Sequence, residues 1–206
     1  KIFILSRNVD YTEFSAVSTN ATLYLFSAFP AIHLVILVVT LILSFSLTAR
    51  IEKMSVASAQ MMFLVFSALM GVTASTWLYL YQLTSIVFIF LATALYFGAL
   101  AAYGHFTNRS LAGYKSILLS GLIFLILFGV LSLFIPGMTA FDSMISLFGI
   151  AIFLGYIAYD TQRIREFYYY YSGYPDMMEK ASIFSALQLY MDFINLFLYL
   201  LRFLGK

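Results

Sequence analysis

The sequence predicts an all-α integral membrane protein, a polytopic bundle of hydrophobic helices, and three observations carry that prediction. Of its 206 residues, 63% are hydrophobic and only 10% charged, where soluble domains carry roughly 25% charged residues. Six stretches are long and apolar enough to cross a bilayer, at 26–48, 58–82, 85–106, 116–135, 142–163 and 182–204, each near the length of about 20 residues that a span needs. Basic residues gather in alternate connections between these stretches. Eleven basic and nine acidic side chains cannot build the polar surface that a soluble protein of this size turns to water. In a bilayer that requirement vanishes, because lipid tails face apolar side chains directly.

The spans make one transmembrane domain over residues 26–206, preceded by an exterior segment or loop over 1–25 that contains Arg7, Asn8, Asp10 and Glu13. Pro30 falls in the first turns of its span, where a missing amide proton costs little. The run Tyr81-Gln82-Leu83-Thr84-Ser85 reads as a tight hairpin between two spans, and Pro136-Gly137 as a second short turn. Residues 168–171, four tyrosines followed by Gly173 and Pro175, read as an interfacial connection. A net charge of +2 is too small to imply a nucleic-acid partner, and the absence of cysteine excludes disulfides, thiolate metal sites and cysteine nucleophiles. No signal peptide is recognisable, since Arg7 cuts short the apolar start at Lys1–Leu5.

Charge placement sets the orientation. Arg50 and Lys53 follow the first span, Arg109 and Lys115 the third, and Arg163, Arg165 and Lys180 the fifth, whereas the connections at 82–85 and 136–141 hold no basic residue. Lys and Arg concentrate in cytoplasmic loops, so the first three connections are predicted to be cytoplasmic and residues 1–25 exterior. A C-terminus carrying Arg202 and Lys206 then falls outside. That mild conflict with the rule leaves two readings of the last helix, full crossing or re-entry.

Two carboxylates are candidates for chemistry. Asp160 lies near the cytoplasmic end of the fifth span, and Asp192 about 15 Å into the last one if that helix starts at Ser182. An uncompensated charge at that depth costs about 2.5–3.5 kcal/mol on insertion scales, so such residues normally face the bundle interior and mark a path or a relay. The plainer readings are that Asp160 pairs with Arg163 one turn on, and that Asn195 helps satisfy Asp192 in a structural polar cluster. His33 and His105 lie at span ends, where interfacial histidines need no functional role. Gly71, Gly104 and Gly155 are read as sites of close helix packing. No zinc-protease helix, nucleophile elbow or phosphate-binding glycine loop is present. Tyr159-Asp160 half-matches the motif pair of intramembrane aspartyl proteases, but residues 189–192 lack the glycines of the second motif. The chain is therefore expected not to be an enzyme and to need no cofactor.

The strings Ala158-Tyr159-Asp160-Thr161-Gln162-Arg163-Ile164 and Leu189-Tyr190-Met191-Asp192-Phe193-Ile194-Asn195-Leu196-Phe197, with Ser67-Ala68-Leu69-Met70-Gly71 and Tyr103-Gly104, closely resemble the transmembrane Bax inhibitor motif family, in particular its bacterial members. The likeness runs from about residue 30 to the end. It implies a seven-helix fold with the C-terminal helix central, a bacterial inner (plasma) membrane location, and a pH-sensitive calcium leak. The family's paired aspartates match Asp160 and Asp192, and a basic latch able to reach them would be Arg50 or Lys53. Three departures stand beside this. Six spans are visible instead of seven, so the family's first helix is expected to be absent or to precede Lys1. The chain has only His33 where some relatives carry an acidic residue, and residues 1–25 match nothing recognised in the family.

The expected partners are therefore the lipid bilayer, calcium and protons, with other membrane proteins as a further class. Two carboxylates facing each other in a low dielectric repel, so the pair is expected to share one proton and titrate as a unit. Calcium takes six to eight oxygen ligands, so Asp160 and Asp192 alone suit passage or weak binding better than storage. The alternative reading is a regulatory protein that binds other membrane proteins or a membrane protease, with both aspartates serving structure only.

Overall fold

The structure is a computed structural model and describes residues 35, 39–40, 42–43, 46, 53–75, 81–132, 134–135 and 137–205. Five long helices occur among these residues: α1 (Val56–Ser75), α2 (Leu83–Phe106), α3 (Lys115–Ser132), α4 (Asp142–Tyr171) and α5 (Pro175–Leu204). All five are long and apolar enough to cross a membrane. The first predicted span, 26–48, lies largely outside the described residues, although those described between 35 and 46 are helical and Leu43 packs near Phe66 and Leu187. The exterior segment at 1–25 lies wholly outside them.

Helices α1 to α3 are apolar all round, with little difference between their faces, as suits elements that show lipid much of their surface. The last two differ. Each has 30 residues, about 45 Å of helix against a hydrocarbon core of about 30 Å, so both protrude from the membrane. The sequence reading ended the fifth span at 163 and began the last at 182. Instead the four tyrosines at 168–171 form the final turn of α4, and the connection shrinks to 172–174. Pro175 then opens α5 at a position where its missing amide proton breaks no helical bond, with Asp176 in the first turn favoured by the helix dipole. A tyrosine run looks like an interface, and it is one, but its backbone bonds are still satisfied by continuing the helix.

Consequently α4 and α5 form a long antiparallel hairpin with the most extensive contact in the molecule. The C-terminal helix does not hold the centre alone: it shares the core with α4. α2 packs on both, α3 on α4, and α1 on α5. Ile89, Leu125, Ile152, Phe153, Ile157, Leu196 and Leu201 form the main buried cluster, drawn from α2, α3, α4 and α5. A second cluster of Ala59, Phe66 and Leu187 docks α1 on α5, where Tyr190 meets Phe63 and Phe66 edge to face at 6.5 and 6.0 Å. α5 runs the whole length of α4, since Arg202 in its last turn bonds Asp142 in the first turn of α4 at 2.9 Å, the end opposite the 172–174 turn. That extent fits full crossing and not re-entry.

The ends sort by charge as expected. Arg165 donates from Nη1 to the His105 carbonyl at 2.6 Å and from Nη2 to the Thr107 carbonyl at 3.2 Å, and Gln60 Nε2 reaches Glu179 at 3.2 Å. Lys53, Arg109, Lys115, Arg163 and Lys180 thus lie toward one end, Arg163 and Lys180 within α4 and α5 and not in the connection between them. At the other end Gly137 turns the chain with φ +89°, a conformation open to glycine. Because the protein has no cysteine, single-cysteine variants report topology cleanly. Ala112→Cys and Gly173→Cys are expected to resist an impermeant maleimide added outside intact cells, while Ala140→Cys is labelled; labelling at 112 or 173 would invert the orientation.

Two of the three glycines read as packing sites behave so. A Cβ at Gly104 would collide with the Ala158 backbone, so α2 and α4 touch main chain to main chain, and one at Gly155 would lie 2.7 Å from Leu118. Gly71 has nothing within 4 Å among the described residues, so no packing partner is seen there. Overpacking typically costs about 1–3 kcal/mol. Gly104→Leu is therefore expected to lower the thermal midpoint of the detergent-solubilised protein by several degrees, whereas Gly98→Ala, which meets nothing within 4 Å, holds or raises it. Equal midpoints for the two variants would contradict the contact.

Candidate functional site

Asp160 and Asp192 come together because of the hairpin's register. Gly149 and Phe153 of α4 lie against Tyr199 of α5, with the Phe153 and Tyr199 rings stacked at 5.8 Å between centroids. Nearer the turn, Phe167 lies 6.2 Å from Phe184. Between these two layers the seam sets position 160 beside position 192. Both side chains are buried, Asp160 at 4% and Asp192 at 5% exposure, and the two carboxyls are close enough to interact electrostatically. Two carboxylates offer only acceptors, so a bond between them requires one to carry a proton. Asp192 Oδ2 is buried and has no hydrogen-bond partner among the described residues. An unsatisfied oxygen of this kind is costly, and it is also a ready acceptor for an incoming proton, water or cation.

The pair's neighbours are sparse and specific. Arg163, one turn from Asp160, is the cation acting on that carboxyl; among the described residues it makes no ion pair within 4 Å, and it lies 4.9 Å from the centre of the Phe167 ring. Tyr156, on the same face of α4 as Asp160, is close enough to interact electrostatically with both carboxyls. Asn195 does not serve the pair: its Nδ2 donates to the Met191 carbonyl at 2.8 Å, a bond within its own helix. Of the two latch candidates, Arg50 lies outside the described residues, and Lys53 is exposed in the turn before α1. His33 is likewise outside the described residues, and His105 sits at the C-terminal end of α2 with its ring against Phe106. Among the described residues no group of three or more His, Cys, Asp or Glu forms a metal cluster.

Gln162 is the residue that sequence reasoning passed over. It is 4% exposed, accepts from the Leu111 amide at 2.7 Å and donates to the Arg109 carbonyl at 2.9 Å. Together with Arg165 it ties the basic α2–α3 connection to the stretch of α4 just beyond Asp160. Its signal was a lone amide side chain two positions past an intramembrane acid. Gln162→Ala would strand a buried amide proton, at a cost of about 1–3 kcal/mol, and is expected to lower the thermal midpoint clearly. Gln60→Ala removes an exposed bond and is expected to leave it within a degree or two; equal effects would mean that the Gln162 bonds are not what holds the connection.

Comparison with known proteins adds lineage to this geometry. The sequence profile of the family described as "Inhibitor of apoptosis-promoting Bax1" matches residues 11–206, so the likeness begins well before residue 30. An uncharacterized protein of Rickettsia prowazekii is 41% identical over 154 residues, covering 75% of this chain and 64% of that protein; the chain thus spans just under two thirds of that relative. The inner membrane protein YbhL of Escherichia coli is 36% identical over 172 residues, 83% of this chain and 73% of its own length. An uncharacterized membrane protein of Streptococcus pyogenes is 34% identical over 178 residues, 86% and 76% of the two chains.

Proposed function

This chain belongs to the Bax inhibitor family and is a multi-pass protein of the bacterial inner-membrane type, and from that premise we propose that it conducts cations, calcium in the first place, through a path gated by protons at the Asp160–Asp192 pair. The observation that carries the proposal is the buried meeting of two carboxyls from adjacent central helices, with one oxygen of Asp192 left unsatisfied. A structural role alone would be served better by an apolar pair of equal volume, since buried ionisable groups are weak contributors to stability. With one proton between them the carboxyls hold α4 and α5 together. Loss of that proton sets two like charges against each other in a low dielectric, and gain of a second frees the site from Arg163 and from any basic latch at Arg50 or Lys53. Either event alters the hairpin's packing, which is how a local titration becomes a gate. Two carboxylates provide at most four oxygens where calcium takes six to eight, so the ion passes with part of its water shell instead of being stored. No catalytic step is assigned to the protein and no cofactor is required.

The family's description as an inhibitor of another protein favours one further reading, a regulator that binds membrane partners while the aspartates serve packing. Calcium flux into proteoliposomes, followed across neutral pH, separates the two. Asp192→Asn keeps the shape and removes the titration, and is expected to abolish most of the pH dependence; Asp160→Asn is expected to do the same, because coupled groups do not titrate separately. Lys53→Glu, in the same assay, is expected to displace the profile if that residue is the latch. Retention of the wild-type profile by both asparagine variants would sink the gate and leave the regulatory reading.

A further inference from the structure

A groove lies where the C-terminal end of α2 meets the protruding part of α4. His105, Phe106, Ile164, Arg165, Tyr168 and Tyr169 line it, enclosing about 530 Å³, within the range of ordinary small-molecule sites. Its floor is built rather than incidental. Arg165 is fixed by its two bonds to the His105 and Thr107 carbonyls, which use two of the five N–H donors of a guanidinium. Among the described residues it has no acidic partner within 4 Å, the ion pair there being Arg202–Asp142. No Asp or Glu lines the groove, and Glu166 is turned about 100° away around the helix. Two other cavities of similar kind, one lined by Ser116, Phe124 and Ile152 and the other by Gln60, Phe63 and Ala186, contain no basic side chain. A fixed, unpaired cation therefore distinguishes this groove.

The walls say what the anion is attached to. Phe106 and Tyr169 are 76% and 71% exposed at the basic end of the bundle, where lipid chains begin and tyrosine hydroxyls meet headgroups. Basic pockets between membrane helices on the cytoplasmic side suit anionic lipid headgroups. We propose that this groove is a binding site for one anionic phospholipid of the inner leaflet, its phosphate held by the free donors of Arg165 and the hydroxyls of Tyr168 and Tyr169, its first methylenes against Phe106 and Ile164. Such a lipid would brace the α2–α3 connection against α4, independently of any ion path.

Native mass spectrometry of the protein released from nanodiscs of phosphatidylcholine and phosphatidylglycerol tests the site. The wild type is expected to retain phosphatidylglycerol in preference to phosphatidylcholine. Arg165→Gln is expected to cut that preference about fivefold, the weight of one basic residue near a lipid surface, and Arg109→Gln, outside the groove, to leave it unchanged. Because Arg165 also ties the connection down, Ile164→Trp, which fills the groove and keeps the charge, provides a second variant and is expected to abolish the preference. Equal retention of the two lipids by the wild type, wild-type preference in the groove-filled variant, or displacement of the lipid by an equal concentration of soluble glycerol phosphate would each overturn the assignment.

Discussion

The contact on which the rest depends is the seam between α4 and α5, where two acidic side chains are kept from lipid by each other's helix. A carboxyl facing hydrocarbon carries a penalty of a few kcal/mol; the same group in a helix seam can share a proton and a hydrogen bond with a second one. That requirement explains why the two most buried helices are those that carry Asp160 and Asp192. The remaining helices are apolar on every face, with lipid outside and the hairpin inside, and the polar group that α2 buries, Thr93, bonds its own helix at the Ile89 carbonyl. Where α2 must approach α4 most closely, Gly104 removes the side chain altogether and lets it rest on the Ala158 backbone.

The seam is graded along its length. At the end away from the 172–174 turn an exposed ion pair, Arg202 with Asp142, joins the two helix termini, and both charges sit where the helix dipoles favour them. Next come the aromatic layer of Phe153, Tyr156 and Tyr199, then the carboxyl pair, then Gln162 and Arg165 with their bonds to the α2–α3 connection. The pair thus lies between a ring-filled layer on one side and a hydrogen-bonded polar layer on the other. The pair therefore sits in a seam that is fastened at both of its ends.

Sequence alone determined the membrane class, the five long apolar stretches found among the described residues, the gathering of basic residues at one end and the two buried acids, because each follows from composition and local order: lipid tolerates an apolar surface, basic residues are kept to one side of a membrane, and an acid inside a span is conspicuous in itself. It also carried the family likeness through short strings around Asp160 and Asp192. Helix ends were less legible. Residues 168–171 look interfacial whether they coil or continue a helix, and only the backbone's need to satisfy its own hydrogen bonds decided for α4. Which side chain answers which was decided by tertiary structure alone. Asn195 turned to its own backbone, Gln162 to a loop some fifty positions away, and α4 joined α5 at the centre. Those outcomes depend on the register of one helix against another, fixed by ring and glycine contacts far apart in the chain, and a linear order of residues does not contain that register until the helices have packed.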